Sequence, residues 1–209
     1  MDIEMELNRE STLLTRYLNN MQQIKLRMHS VQEVLMGVRS TSYPATNIEF
    51  CSLQIRKILE LIVLSSLVSD LDLYEREFKN LDKMWNPRLI IRDIERINPN
   101  FYPEPIEIEH GEIDNFKPKT DGFLTKNNLI HAYEKCGKYL HAPSLGISKQ
   151  QEELMYAEAQ TNIVSWSKEI VGLLSVHIVH LHNSRDFYYV VMQAKSDGQP
   201  HGNVFTRSE

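Results

Sequence analysis

The sequence predicts a mainly α protein, an up-and-down bundle of about six helices that carries a small C-terminal antiparallel β meander. Three observations lead there. Apolar residues over the first 35 positions recur at helical spacing, residues 47–70 are apolar on nearly every side, and beyond residue 176 the apolar period changes from 3.6 to 2. The division expected is a bundle over residues 1–175 and a meander over 176–209, packed on the bundle or on a partner.

Leu14, Tyr17, Met21, Ile24, Met28, Val31 and Leu35 keep a 3-4-3-4 spacing, which places them on one seam of a long first helix. Gly37 fits its C-terminal stop. Such a seam serves either an intramolecular bundle or a contact between two copies. The stretch NIEFCSLQIRKILELIVLSSLVSD reads as a central, buried helix. A helix is expected near Asp72 to Met84, and another near Pro87 to Ile97 with Asn86 as N-cap and Pro87 at its first position.

Pro99, Pro103 and Pro105 end helical structure, and Ile106 and Ile108 alternate with Glu107 and Glu109 as in a short exposed strand. Thr125 is a good N-cap for the next helix, with Leu124 and Leu129 placed as a hydrophobic staple and Pro143 as its stop. The last helix is expected from about Ser148 to Leu174. Glu152 and Glu153 lie in its first turn, and Leu154, Ala157, Ile163, Trp166, Ile170 and Leu174 are assigned to the core. HIVHLH, FYYVVMQA and NVF then read as three strands joined by two turns.

A chain of 209 residues can bury roughly 70% of the surface its unfolded form exposes, so no disulfide or structural metal is needed to hold it. Cys51 and Cys136 both fall within helices on apolar faces, which predicts two buried free thiols in a reducing compartment. The N-terminus lacks the basic and apolar regions of a signal peptide, and Gln54, Arg56, Lys57 and Glu60 interrupt the longest apolar run. A cytoplasmic protein without a membrane span is the expectation. The net charge of -5 argues against nucleic-acid binding by bulk electrostatics and leaves room only for a local basic groove.

The stretch TKNNLIHAYEKCGKYLHAP, Thr125 to Pro143, offers the most chemistry. Glu134, Lys138 and His141 share one helix face, and Lys135 and Gly137 stand close by. Gly inside a helix costs about 1 kcal/mol against Ala, which points to close approach of a second helix or to a space kept for a ligand. An imidazole at a helix end beside cations can exchange a proton with a 2′-hydroxyl or a leaving oxygen; the other reading is a capping histidine with solvated lysines. Arg56 and Glu60, four apart on the central helix, form either a structural ion pair or a phosphate contact. His177, His180 and His182 on one strand are a weak alternative as metal ligands, against a solvated hairpin face. No P-loop, GxGxxG, GxSxG or HExxH occurs, so the sequence gives no support to nucleotide hydrolysis, dinucleotide redox chemistry or acyl-enzyme hydrolysis, and no cofactor is implied.

The pattern FCSLQIRKILELIVLSSL, followed by FYPEP and LIHAYEKCGKYLHA, resembles the HEPN superfamily, and within it bacterial proteins built on an LQxRKxxE helix and a YxKCGxxLHA helix, over roughly residues 47–175. The resemblance implies a helical bundle that commonly dimerises. It also implies a metal-independent RNase of a bacterial defence or toxin-antitoxin system, with an Arg followed four to six residues later by His. His141 matches that histidine, and the arginine position falls at Lys135, Cys136 or Gly137, of which only Lys135 holds charge. Lys is a single mobile charge where Arg presents a planar fork, so either Arg56 supplies the guanidinium or the chain is a binding-only relative. The expected site is thus His141, Lys135 and Lys138 for catalysis, with Arg56, Glu60 and Tyr133 contacting substrate. The expected partners are RNA, a second copy of the chain and an operon-encoded protein. The alternative implied is a non-catalytic interaction scaffold or regulator.

Overall fold

The computed structural model describes residues 2–68, 87–108, 116–142, 146–182 and 184–207. Tyr17, Met21, Ile24, Met28 and Val31 lie along the seam of α1 (Asp2–Leu35), and all five are buried. Helix α1 ends two residues before Gly37, whose φ of 71° turns the chain so that the Val38 N–H reaches the Glu33 carbonyl at 2.9 Å. The seam packs within the chain, chiefly against α2 (Pro44–Val68), and so is not a free surface for a second copy.

Helix α2 is the centre of the bundle, as its all-round apolar sequence predicts. It contacts α1, α3 (Pro87–Ile97), α4 (Lys126–Tyr139) and α5 (Lys149–Leu174). Ile55, Ile58, Leu59 and Ile62 are fully buried in the middle of that layer, each contributing about 1.5–3 kcal/mol by leaving water. Five helices are present among the described residues, against about six expected; the helix expected near Asp72 to Met84 lies outside the described residues, as do Asn86 and Pro143.

Helix α5 begins at the expected Ser148, which forms a capping box with Gln151. Its buried face is Ala159, Ile163, Trp166, Ile170, Leu173 and Leu174. Leu154, 64% exposed, and Ala157, also exposed, do not return to the core, contrary to expectation. Met155 and Tyr156, one or two positions along, pack against it instead, because the seam runs 3-4-3-4 backward from Ile163 through Ala159.

The three expected C-terminal strands form as β3 (Val176–His180), β4 (Asp186–Val191) and β5 (His201–Thr206). They belong to a larger, five-stranded antiparallel sheet that also recruits β1 (Glu104–Ile108) and β2 (Phe116–Pro118), in the order β2-β1-β3-β4-β5. The expected exposed strand is therefore an inner one: Glu104 pairs with Ile178, and Ile106 is buried. Val179, Tyr188 and Val190 on the inner sheet face share one core with the helices. At Gly202 a side chain would meet Leu14 and Leu18 at 3.2–3.3 Å, which shows how closely α1 lies on β5.

Candidate functional site

Helix α4 is positioned by its sequence at both ends. The Thr125 hydroxyl accepts from the Asn128 N–H at 3.2 Å, and Leu124 and Leu129 are both fully buried, as a cap and staple require. Leu129, Ala132, Cys136 and Tyr139 fill its buried stripe. At the other end the Leu140 N–H is shared between the Gly137 and Lys138 carbonyls, and the His141 N–H reaches Lys138 at 3.3 Å. His141 lies just past the C-cap Leu140, outside the helix on which it is expected to share a face with Glu134 and Lys138; its side chain and that of Lys138 are exposed, and neither forms a hydrogen bond or ion pair among the described residues.

Arg56 of α2 meets α4 on its flank. Its guanidinium lies 4.2 Å over the Tyr133 ring, donates to the Tyr133 hydroxyl at 2.5 Å and stands 3.5 Å from Glu60. The Tyr133 hydroxyl in turn donates to Glu60 at 3.3 Å. Burial raises the Tyr133 pKa despite the adjacent guanidinium, so the phenol keeps the proton it gives to Glu60. A methyl at Gly137 would stand 3.1 Å from the Arg56 guanidinium. The glycine thus permits close approach of the second helix, one of the two readings its position suggests.

The neighbouring charges are largely spoken for. Lys135 forms a 2.5 Å ion pair with Glu158 of α5, which raises the lysine pKa and lowers that of the carboxylate. Glu134 pairs with Arg88 of α3 at 2.7 Å. Cys136 is no nucleophile: burial pushes its thiol up to about 12, and that of Cys51 up to about 11; both thiols are free, as predicted. Glu158 and Arg88 had no signal in the sequence, since each reaches α4 from an element 23 or more residues away.

The weak metal alternative does not assemble. His177 is fully buried, with one ring nitrogen 2.9 Å from the Leu174 carbonyl and the other 2.7 Å from the Tyr17 hydroxyl, and burial pushes its pKa down to about 4. His180 bonds Glu104 at 2.8 Å, while His182 lies in the turn after β3 rather than on the strand. No group of three potential ligands that could hold a metal occurs among the described residues.

The chemistry available at the end of α4 is therefore an exposed imidazole, one exposed ammonium, and a stacked guanidinium about one turn away that is shared with a carboxylate. The chain matches no family model, no curated protein and no solved structure. None of the described helices is long and apolar enough to cross a membrane.

Proposed function

We propose that this chain is a HEPN-like protein of a bacterial defence or toxin-antitoxin system that acts on RNA at the end of α4, in the cytoplasm and as a homodimer. In this reading His141 is the general acid and base of a metal-independent cleavage, and Lys138, Lys135 and Arg56 hold phosphate, with Glu60 and Tyr133 orienting the guanidinium. The observation that carries it is the exposed His141 ring, without a partner among the described residues, just past the helix that bears Lys138 and whose Gly137 receives Arg56. Purified protein incubated with total RNA in EDTA tests the reading. Cleavage should occur and disappear in His141→Ala; cleavage matched by that variant would remove the catalytic assignment.

A second reading, a non-catalytic scaffold or regulator, is favoured by a specific observation. Glu158 already neutralises Lys135 and Glu60 already holds Arg56, so among the described residues Arg56, the guanidinium beside the end of α4, is not free to clamp a transition state. Purification from the native host separates the two. A stoichiometric protein partner without bound RNA supports the scaffold, and co-purifying RNA released by high salt supports the first reading.

A further inference from the structure

A groove of about 520 Å³ opens between α1 and the junction of α5 with β3, and none of its walls belongs to α4. The volume falls within the roughly 300–1,000 Å³ that holds small organic ligands. Most of its walls are apolar, with Ile24 and Met28 from α1, Ile170 and Leu174 from α5, and Val191 and Met192 from the end of β4, while Gln32, Ser175 and Gln193 add uncharged polar groups. Val171, 45% exposed, stands at the mouth.

The charged lining is one-sided. Lys25 and His29 of α1 line the groove, and no Asp or Glu does among the described residues, although the chain carries 28 acidic residues against 23 Lys and Arg. The Lys25 ammonium donates to the Gly198 carbonyl, which holds it in place from the turn before β5, and an ammonium with three donors has others to offer. The nearest carboxylate along the helix, Glu33, lies outside the lining. It is engaged by Arg39 at 2.9 Å and is 3.7 Å from the His29 ring.

We propose that this groove binds a small amphipathic anion, an aliphatic or aromatic body bearing one carboxylate, with the body between α1 and α5 and the carboxylate at Lys25 and His29. An apolar body gains by leaving water against Val171, Val191 and Met192, the apolar lining side chains that keep solvent exposure. A carboxylate gains a charge-assisted hydrogen bond from Lys25, whereas a cationic headgroup would meet that ammonium with no carboxylate among the described lining residues, Glu33 being held by Arg39.

Calorimetric titration of the full chain with decanoate, and separately with decylamine, tests the assignment. Decanoate should bind one to one and at least about tenfold more tightly than decylamine, the factor expected of one charge-assisted contact. Lys25→Gln should erase that preference, and Val171→Trp, which fills the mouth, should abolish binding of both. His29→Gln, at a largely exposed ring, supplies the same test of preference should the Lys25 variant lose its fold through the Gly198 contact. Equal affinity for the two amphiphiles, decanoate binding undiminished in Val171→Trp, or no binding of decanoate below its micellar concentration would each overturn the proposal.

Discussion

Tyr17 of α1 and His177 of β3, 160 residues apart, join through a 2.7 Å hydrogen bond between two fully buried side chains. The Leu174 carbonyl can only accept, so the His177 Nδ1 carries the proton, and its Nε2 accepts from the Tyr17 hydroxyl. Burial keeps that imidazole neutral, which leaves Nε2 free to accept. The pair ties the first helix to the strand that leads the C-terminal meander.

Stability should accordingly fall in acid. His177 takes up its proton near 6.5 when unfolded and near 4 when folded, so between those values the unfolded chain binds more protons. Its contribution is complete above pH 6.5 and is lost as pH falls through 4, amounting to about 3 kcal/mol. Urea unfolding at pH 7 and pH 4 checks this against His177→Gln, which cannot titrate. The variant, though weaker at pH 7, should lose about 3 kcal/mol less between the two; an equal loss in both proteins would contradict the assignment.

Gly172→Ala should be among the costliest small changes. A Cβ there would stand 1.9 Å from the Gly122 carbonyl oxygen, where backbone rather than a flexible side chain must yield. The helix-propensity gain of about 1 kcal/mol cannot offset overpacking of about 3 kcal/mol. The loop that presses there is also tied down by the Leu124 N–H bonding to Glu169 at 2.9 Å. Thermal and urea unfolding should both show the loss, and a variant as stable as wild type would mean that the loop lies further from α5.

Gly137→Ala meets a softer neighbour. The added methyl would stand 3.1 Å from the Arg56 guanidinium, which is stacked on Tyr133 and paired with Glu60. In an Arg56→Ala background the substitution should gain the helix propensity of about 1 kcal/mol, and in wild type about 0.5 kcal/mol less. A double-mutant cycle measures the difference, and strict additivity would place the guanidinium elsewhere.

Glu158→Gln removes the carboxylate that neutralises Lys135. The pair is partly solvated, so stability should change by less than about 1 kcal/mol. RNA binding, on the proposed function, should tighten several-fold at low salt and show a steeper salt dependence, because one more cation is free to displace counterions. Fluorescence titration with labelled RNA at two salt concentrations checks both; unchanged affinity would separate Lys135 from any RNA contact.

The elements that could be read from the chain are those whose signals are local. Thr125, Leu124 and Leu129 announce the start of α4, Ser148 that of α5, and Gly37 the end of α1 within a residue or two. The seam of α1 was legible because its period persists over many turns. The face of α5 was legible from Ile163 onward and misread before it, where Leu154 and Ala157 competed with Met155 and Tyr156 over a single turn. Ile106 was recognised as strand but placed at the surface, since nothing near it in sequence says that β3, 70 residues on, will pair with its strand.

The sequence by itself determined the starts of α4 and α5, the end of α1 within a residue or two, the apolar seam of α1, the central place of α2, and that the tail is extended. Those features follow from backbone preferences and spacing within a few turns. The tertiary structure alone decided that His177 is a buried acceptor for Tyr17 rather than a ligand, that Arg56 stacks on Tyr133 beside Gly137, and that Glu158 cancels Lys135. Each depends on groups brought together from distant parts of the chain. At such range the charge and burial of a side chain are set by its neighbours in space and not by its neighbours in sequence.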